Sequence, residues 1–106
     1  MAYYSISVRI AAQTANGRTY DERRQSVIDA ARRAEAGYWD STTSFMLAES
    51  PLQTVEFAQE VCAGLSRQHD MAVIYDPGDM SMCYFGQVHA EDVLRSFFTA
   101  GKSFEI

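Results

Sequence analysis

Residues 3–10 read Tyr-Tyr-Ser-Ile-Ser-Val-Arg-Ile, and this stretch decides the fold. Two sets of side chains alternate along it. The apolar set is Tyr4, Ile6, Val8 and Ile10, and the second set is Tyr3, Ser5, Ser7 and Arg9. Because successive side chains of a strand point to opposite faces of a sheet, the alternation predicts a strand with one core face and one open face.

Three helices are predicted after this strand. Thr19-Tyr20-Asp21-Glu22 has the form of a capping box, which begins a helix that should end at Gly37. Ser50-Pro51 predicts the N-cap and first position of a second helix. Residues 91–98 predict a short third helix whose buried side is Val93, Leu94, Phe97 and Phe98.

Further strands are predicted between the helices, at residues 43–49, 71–75 and 80–86, with a short one near Tyr38-Trp39. The resulting order, β-α-(β)β-α-β-β-α, favours an α+β ferredoxin-like plait (β-α-β-β-α-β) with a C-terminal strand and helix extension. A doubly wound parallel sheet is the alternative, but it would need more β-α units. The length of 106 residues predicts a single domain over 1–106.

Composition excludes several broad classes of protein. Apolar residues make up 47% and charged residues 22%, which is typical of globular chains and not of disordered ones. No apolar run is long enough to cross a membrane, and the N-terminus lacks the basic and apolar regions of a signal peptide. We therefore expect a cytoplasmic protein in which Cys62 and Cys83 are buried free thiols.

The net charge of −5 is unevenly distributed, with +2 over residues 1–36 and −7 over residues 37–106. This acidic balance argues against non-specific binding to duplex nucleic acid. The first helix carries Arg23, Arg24, Arg32 and Arg33. They would either form a local basic stripe or solvate the outer face and pair with Glu22, Asp29 and Glu35.

Residues 3–76 resemble a group of small ferredoxin-like bacterial proteins. The resemblance lies in the first strand, the helix from Tyr20, the stretch from Trp39 to Leu47, the helix from Pro51 and the strand ending at Tyr75. These proteins are similar to the small nuclease-fold subunit of the CRISPR spacer-integration complex and to antitoxins that are single-strand endoribonucleases. The resemblance implies a homodimer and, in some members, a metal-dependent ribonuclease.

One position departs from the nuclease-like members of that group. Their first strand ends in an Asp that helps to hold a divalent metal, whereas this chain has Ser7-Val8-Arg9-Ile10 there. The first carboxylate after the strand is Asp21, and Arg9 would repel a cation. We therefore expect that the catalytic site of the group is absent.

Five residues bracket the later strand pair and could converge at its ends: His69, Asp70, Asp76, Asp79 and His89. Imidazole and carboxylate groups together would suit a transition metal, but the same residues are also typical of turns. The sequence contains no zinc-protease, nucleophile-elbow, P-loop or dinucleotide-binding motif. We assign no catalytic residue, no metal ligand and no cofactor.

The open face of the first strand is the best candidate for binding, through Tyr3, Ser5, Ser7 and Arg9. Tyrosine and arginine on such a face are typical of a dimer interface. They could also be covered by the C-terminal segment of the same chain, or stack single-stranded bases.

We expect a non-catalytic binding or regulatory module that forms a homodimer and acts on a protein partner, with RNA a less favoured partner. The alternative, from the resemblance, is a metal-dependent single-strand endoribonuclease that uses some of Asp70, Asp76 and Asp79.

Overall fold

One six-stranded sheet and three helices make up the fold, an α+β arrangement, in a computed structural model that describes residues 1–106. The strands are β1 (Ala2–Arg9), β2 (Tyr38–Trp39), β3 (Phe45–Ser50), β4 (Met71–Asp76), β5 (Ser81–Gly86) and β6 (Ser103–Glu105). The helices are α1 (Tyr20–Ala31), α2 (Thr54–Cys62) and α3 (Glu91–Arg95). The sheet has the order β2-β3-β1-β4-β5-β6.

Every neighbouring pair of strands is antiparallel except β5 and β6, which are parallel. Strand β1 lies between β3 and β4, with Ile6 opposite Met46 on one side and Ile74 on the other. All three side chains are fully buried. The predicted alternation of β1 therefore places Tyr4, Ile6 and Val8 in the core, and Ile10, just after the strand, packs against it.

Helices α1 and α2 cover one face of the sheet and enclose the core with it. The Tyr4 ring stacks on Phe57 of α2 at 4.3 Å between centroids, and its hydroxyl donates a 2.6 Å hydrogen bond to the Leu52 carbonyl. Cys62 and Cys83 are buried free thiols, as predicted. Burial raises the pKa of Cys62 to about 12 and that of Cys83 to about 11.

The beginning of α1 was predicted correctly, but its end was not. Thr19 and Glu22 form the capping box, each accepting a hydrogen bond from the backbone N–H of the other. The helix ends at Ala31 rather than at Gly37. Gly37 is drawn toward the sheet because its carbonyl accepts a 2.8 Å hydrogen bond from the Glu49 N–H.

The predicted N-cap of α2 was wrong. Ser50 is the last residue of β3, paired with Ala2 of β1, and its hydroxyl accepts a hydrogen bond from the Leu52 N–H. The helix begins only at Thr54. Pairing with β1 therefore prevails over the local Ser-Pro signal, and Pro51 lies in the connection between β3 and α2.

The alternation in β1 predicts that substitutions on its two faces change the stability of the protein by different amounts. Ile6→Ala should lower the free energy of unfolding by about 2–4 kcal/mol, because it leaves a cavity in the core. Ser7→Ala on the other face should change it by no more than about 0.5 kcal/mol. Urea unfolding of both variants measures the difference, and equal destabilisation would contradict the assignment of the two faces.

Candidate interaction surface

The residues predicted from the sequence to bind a partner lie on the face of the sheet opposite α1 and α2. Tyr3, Ser5, Ser7 and Arg9 lie on it, since they alternate with the core residues of β1. Ser5 is in register with Leu47 and Tyr75, and Ser7 is in register with Phe45. Cross-strand partners share a face, so these side chains surround the two serines.

Helix α3 and Phe98, the third residue after its end, cover part of this face. The Phe98 ring packs edge-on against Tyr75 at 5.2 Å between centroids. The Arg95 guanidinium lies 5.2 Å from the centre of the Tyr84 ring and donates a 2.6 Å hydrogen bond to the Tyr84 hydroxyl. The C-terminal segment therefore closes the β4–β5 part of the face, but it does not cover Tyr3, Ser7 or Arg9, for which that cover was one of the alternatives.

The remaining part, formed by β2, β3 and β1, has no cover, and we call it the bare half. Tyr3 is 67% exposed, Trp39 is 45% exposed and Leu47 is 44% exposed. The Trp39 ring lies 6.3 Å from Phe45, edge to face. An apolar groove of about 320 Å³ runs past Tyr3, Trp39 and Leu47.

Three of the four residues predicted to bind a partner are accessible to solvent, and one is buried. Tyr3, Ser7 and Arg9 are exposed, whereas Ser5 is only 5% exposed. Ser5 is small and is flanked in register by the larger side chains of Leu47 and Tyr75. The prediction that Ser5 can contact a partner therefore needs correction.

Sequence reasoning missed Trp39, Phe45 and Leu47. The signal was present in β3, where Phe45 and Leu47 alternate with the buried Met46 and Ala48. Residues 45–48 are all apolar, however, so the outward pair did not stand out by polarity.

Charged side chains lie at one end of this face. Arg9, the last residue of β1, is exposed and its Nη2 donates a 3.3 Å hydrogen bond to the Gln87 carbonyl. Glu91 and Asp92 occupy the first turn of α3 and are exposed. Burial and the neighbouring Glu91 carboxylate together raise the pKa of Tyr84.

The five His and Asp residues do not form one site. Asp70 immediately precedes β4, whereas Asp76 ends it and Asp79 lies in the following turn. Five strand residues lie between Asp70 and Asp76, and the six residue steps span about 20 Å. No three His, Cys, Asp or Glu side chains are grouped so that they could hold a metal ion.

Asp76, Asp79 and His69 each have a local hydrogen-bond partner, whereas His89 lies exposed in the connection between β5 and α3. Asp76 accepts a hydrogen bond from the Gly78 N–H within the turn. Asp79 accepts two from Ser81, which hold its pKa below the usual value, with help from Lys102. His69 contacts the Gln13 amide at 3.1 Å. The geometry at Asp76 and Asp79 is therefore that of a turn.

Asp70 instead forms a fully buried ion pair with Arg23. The Nε of Arg23 donates to Oδ2 of Asp70 at 2.9 Å, and Nη2 donates to Oδ1 at 3.3 Å. The Ser66 N–H and the Ala11 N–H donate to the same carboxylate. Burial by itself would raise the pKa of Asp70, but these hydrogen bonds and the Arg23 charge outweigh it and hold the pKa below its usual value.

The guanidinium of Arg23 is fully satisfied. Its remaining donors bind three backbone carbonyls of the loop between β1 and α1, at Ala11, Gln13 and Arg18. The expectation that Arg23 solvates the outer face of α1 was therefore wrong. Arg23 lies one helical turn before Val27 and two before Ala30, on the buried side of the helix.

The other three arginines of this segment also have different partners from those expected. Arg24 donates to the carbonyls of Thr42 and Thr43, Arg32 lies over the Tyr38 ring, and Arg33 pairs with Glu60 at 3.0 Å. None of the ion pairs joins these arginines to Glu22, Asp29 or Glu35. They do not form a single basic stripe, because they point to separate places.

Comparison with protein-family models, with curated proteins and with solved structures finds no match to this chain. The resemblance noted in the sequence therefore remains a prediction. None of the three helices has the length and the apolar character that crossing a membrane requires.

The buried ion pair predicts a specific pH dependence of stability. Arg23→Met should lower the free energy of unfolding at pH 7 by about 3–5 kcal/mol, because it leaves the Asp70 carboxylate buried without its cation. Since the folded pKa of Asp70 lies below the unfolded value of about 3.9, the stabilisation is complete above that value and is lost as the pH falls through the folded pKa.

Urea unfolding at pH 7 and pH 3 should therefore show a smaller gap between wild type and Arg23→Met at the lower pH. Arg33→Met, which breaks an exposed pair, is the matched control and should cost no more than about 1 kcal/mol. A gap of the same size at both pH values would contradict the role of Asp70.

Proposed function

We propose that this protein is a small, non-catalytic binding module that forms a homodimer through the bare half of its sheet and acts on a protein partner. The observation that carries the proposal is the exposure of Tyr3, Trp39 and Leu47 on one continuous sheet surface. Aromatic residues at the centre of a surface patch with little charge are typical of protein interfaces. An unpartnered apolar face of this kind favours association.

A protein surface suits the bare half better than a nucleic acid does. Arg9 is its exposed cation, and the acidic Glu91 and Asp92 lie at the same end of the sheet. Binding of a phosphate backbone needs several cations, and the chain has a net charge of −5. We place the protein in the cytoplasm, in keeping with two buried free thiols.

The proposal extends to the fold, which we assign to the ferredoxin-like plait over the first four strands. Its support is that β2, β3, β1 and β4 lie side by side in that order, each antiparallel to the next. Helices α1 and α2 lie in the two crossovers, β1 to β2 and β3 to β4. Strand β5, α3 and β6 then form the C-terminal extension.

No observation in the structure favours the endoribonuclease alternative. Its acidic residues lie at two ends of β4, and Asp70 is engaged by Arg23. Incubation of the folded protein with single-stranded RNA and Mg²⁺ or Mn²⁺ should leave the RNA intact. Cleavage that Asp76→Asn or Asp79→Asn abolished would overturn the non-catalytic part of the proposal.

Self-association through the bare half predicts a clear effect of charge. Ser7→Arg should leave the monomer folded and weaken the dimer at least tenfold, because it adds a second cation beside Arg9 and Phe45 in the interface. Gln59→Arg adds the same charge to the exposed surface of α2, on the other side of the sheet, and should not weaken the dimer.

Sedimentation equilibrium at micromolar concentrations measures both variants against the wild type. A wild-type protein that stays monomeric would remove the dimer from the proposal. Equal weakening by Ser7→Arg and Gln59→Arg would show that the added charge acts through net repulsion and not through the bare half.

A further inference from the structure

We propose that α3 supplies the other half of the dimer interface, so that α3 of each copy docks on the bare half of the other. This inference rests on the proposed function, since it requires the bare half to bind a second copy. Its starting observation is that α3 has no buried residue, so the predicted buried side was wrong: Val93 is 60% exposed, and Phe97, two residues after the helix ends, is 72% exposed. These apolar side chains are not used by the core of their own chain.

One two-fold axis can bring α3 of each copy onto the bare half of the other. This axis runs parallel to the strands and lies above the boundary between the bare half and α3. A rotation of half a turn about it brings the two sheets face to face and places the α3 side of one copy over the bare half of the other. The same rotation places α3 of the first copy over the bare half of the second, which gives two equivalent contacts.

The apolar residues of the two surfaces then lie at the same level along the strands. Phe98 contacts Tyr75, which is in register with Ser5, and Ser5 is in register with Leu47. Rotation about an axis parallel to the strands leaves this level unchanged. Phe97 of the second copy, adjacent to Phe98, therefore comes to the level of Leu47.

The charges are also complementary in this arrangement. Arg9 lies at the end of the sheet where the chain leaves β5 toward α3, since its Nη2 donates a hydrogen bond to the carbonyl of Gln87, the first residue after β5. Glu91 lies beside Tyr84 of its own chain, so the exposed Asp92 in the first turn of α3 is the carboxylate of the second copy that comes to this end of the bare half. Attraction between the acidic first turn of α3 and the exposed Arg9 favours a second copy of the chain as the partner. It also favours the orientation in which these two charges meet.

The size of the surfaces supports a contact that uses both. The bare half is formed by strands of eight, six and two residues, which at about 3.3 Å per residue and about 4.8 Å between strands offer a flat area of about 250 Å². A stable dimer buries about 800 Å² on each partner. If α3 also docks, each copy buries a second contact area. The total buried area is then closer to that of a stable dimer than the area of the bare half alone.

Two variants separate the two surfaces. Leu47→Lys changes the bare half, and Phe97→Glu changes the turn that follows α3; both positions are exposed, so each monomer should fold. Each variant alone should bind itself at least tenfold more weakly than the wild type binds itself. Phe104→Glu is the matched control, because Phe104 is a 42% exposed phenylalanine on the helix side of the sheet, and it should not change the dimer.

The decisive measurement is an equimolar mixture of Leu47→Lys and Phe97→Glu. In the mixed dimer, the unchanged Phe97 of one copy meets the unchanged Leu47 of the other, and the introduced lysine faces the introduced glutamate. The mixture should therefore dimerise at least tenfold more tightly than either variant alone, as measured by sedimentation velocity.

The outcomes distinguish the inference from the proposed function. A monomeric wild type would overturn both. A wild-type dimer that Leu47→Lys weakens and Phe97→Glu does not would uphold the bare half as the interface and overturn the docking of α3. Weakening by both variants without recovery in the mixture would also overturn reciprocal docking.

Discussion

The buried ion pair between Arg23 and Asp70 is the interaction on which the rest of the structure depends. Removing two charges from water is costly unless their hydrogen bonds are complete, and here both groups are fully satisfied. The bonds join three segments: the loop after β1, the first turn of α1 and the residues before β4. These bonds fix the position of α1 relative to β1 and β4 on one face of the sheet.

Local signals predicted those parts of the fold that depend on neighbouring residues. The alternation of β1 and the capping box at Thr19 needed nothing from the rest of the chain. Arg23 was assigned wrongly because its partner is 47 residues away and charged residues are rarely buried. Ser50 was assigned wrongly because its pairing with Ala2 is equally distant in sequence.

The candidate site was predictable only in part, for the same reason. Tyr3, Ser7 and Arg9 could be placed on an open face from the period of β1 alone. The enclosure of Ser5 depends on Leu47 and Tyr75, which only the strand register brings beside it. The division of the face into covered and uncovered parts depends on where α3 lies, and no local pattern in residues 91–98 encodes that position.

The two margins of the sheet have a consequence for how copies of the chain can aggregate. Strand β2 has two residues and β6 has three, so each margin presents few unpaired backbone groups. Long free margins are where sheets of different molecules join and grow into open-ended filaments. Because both margins are this short, they offer few backbone groups to a strand of another molecule. Edge-to-edge aggregation is therefore disfavoured, whereas the face of the sheet can still bind a partner.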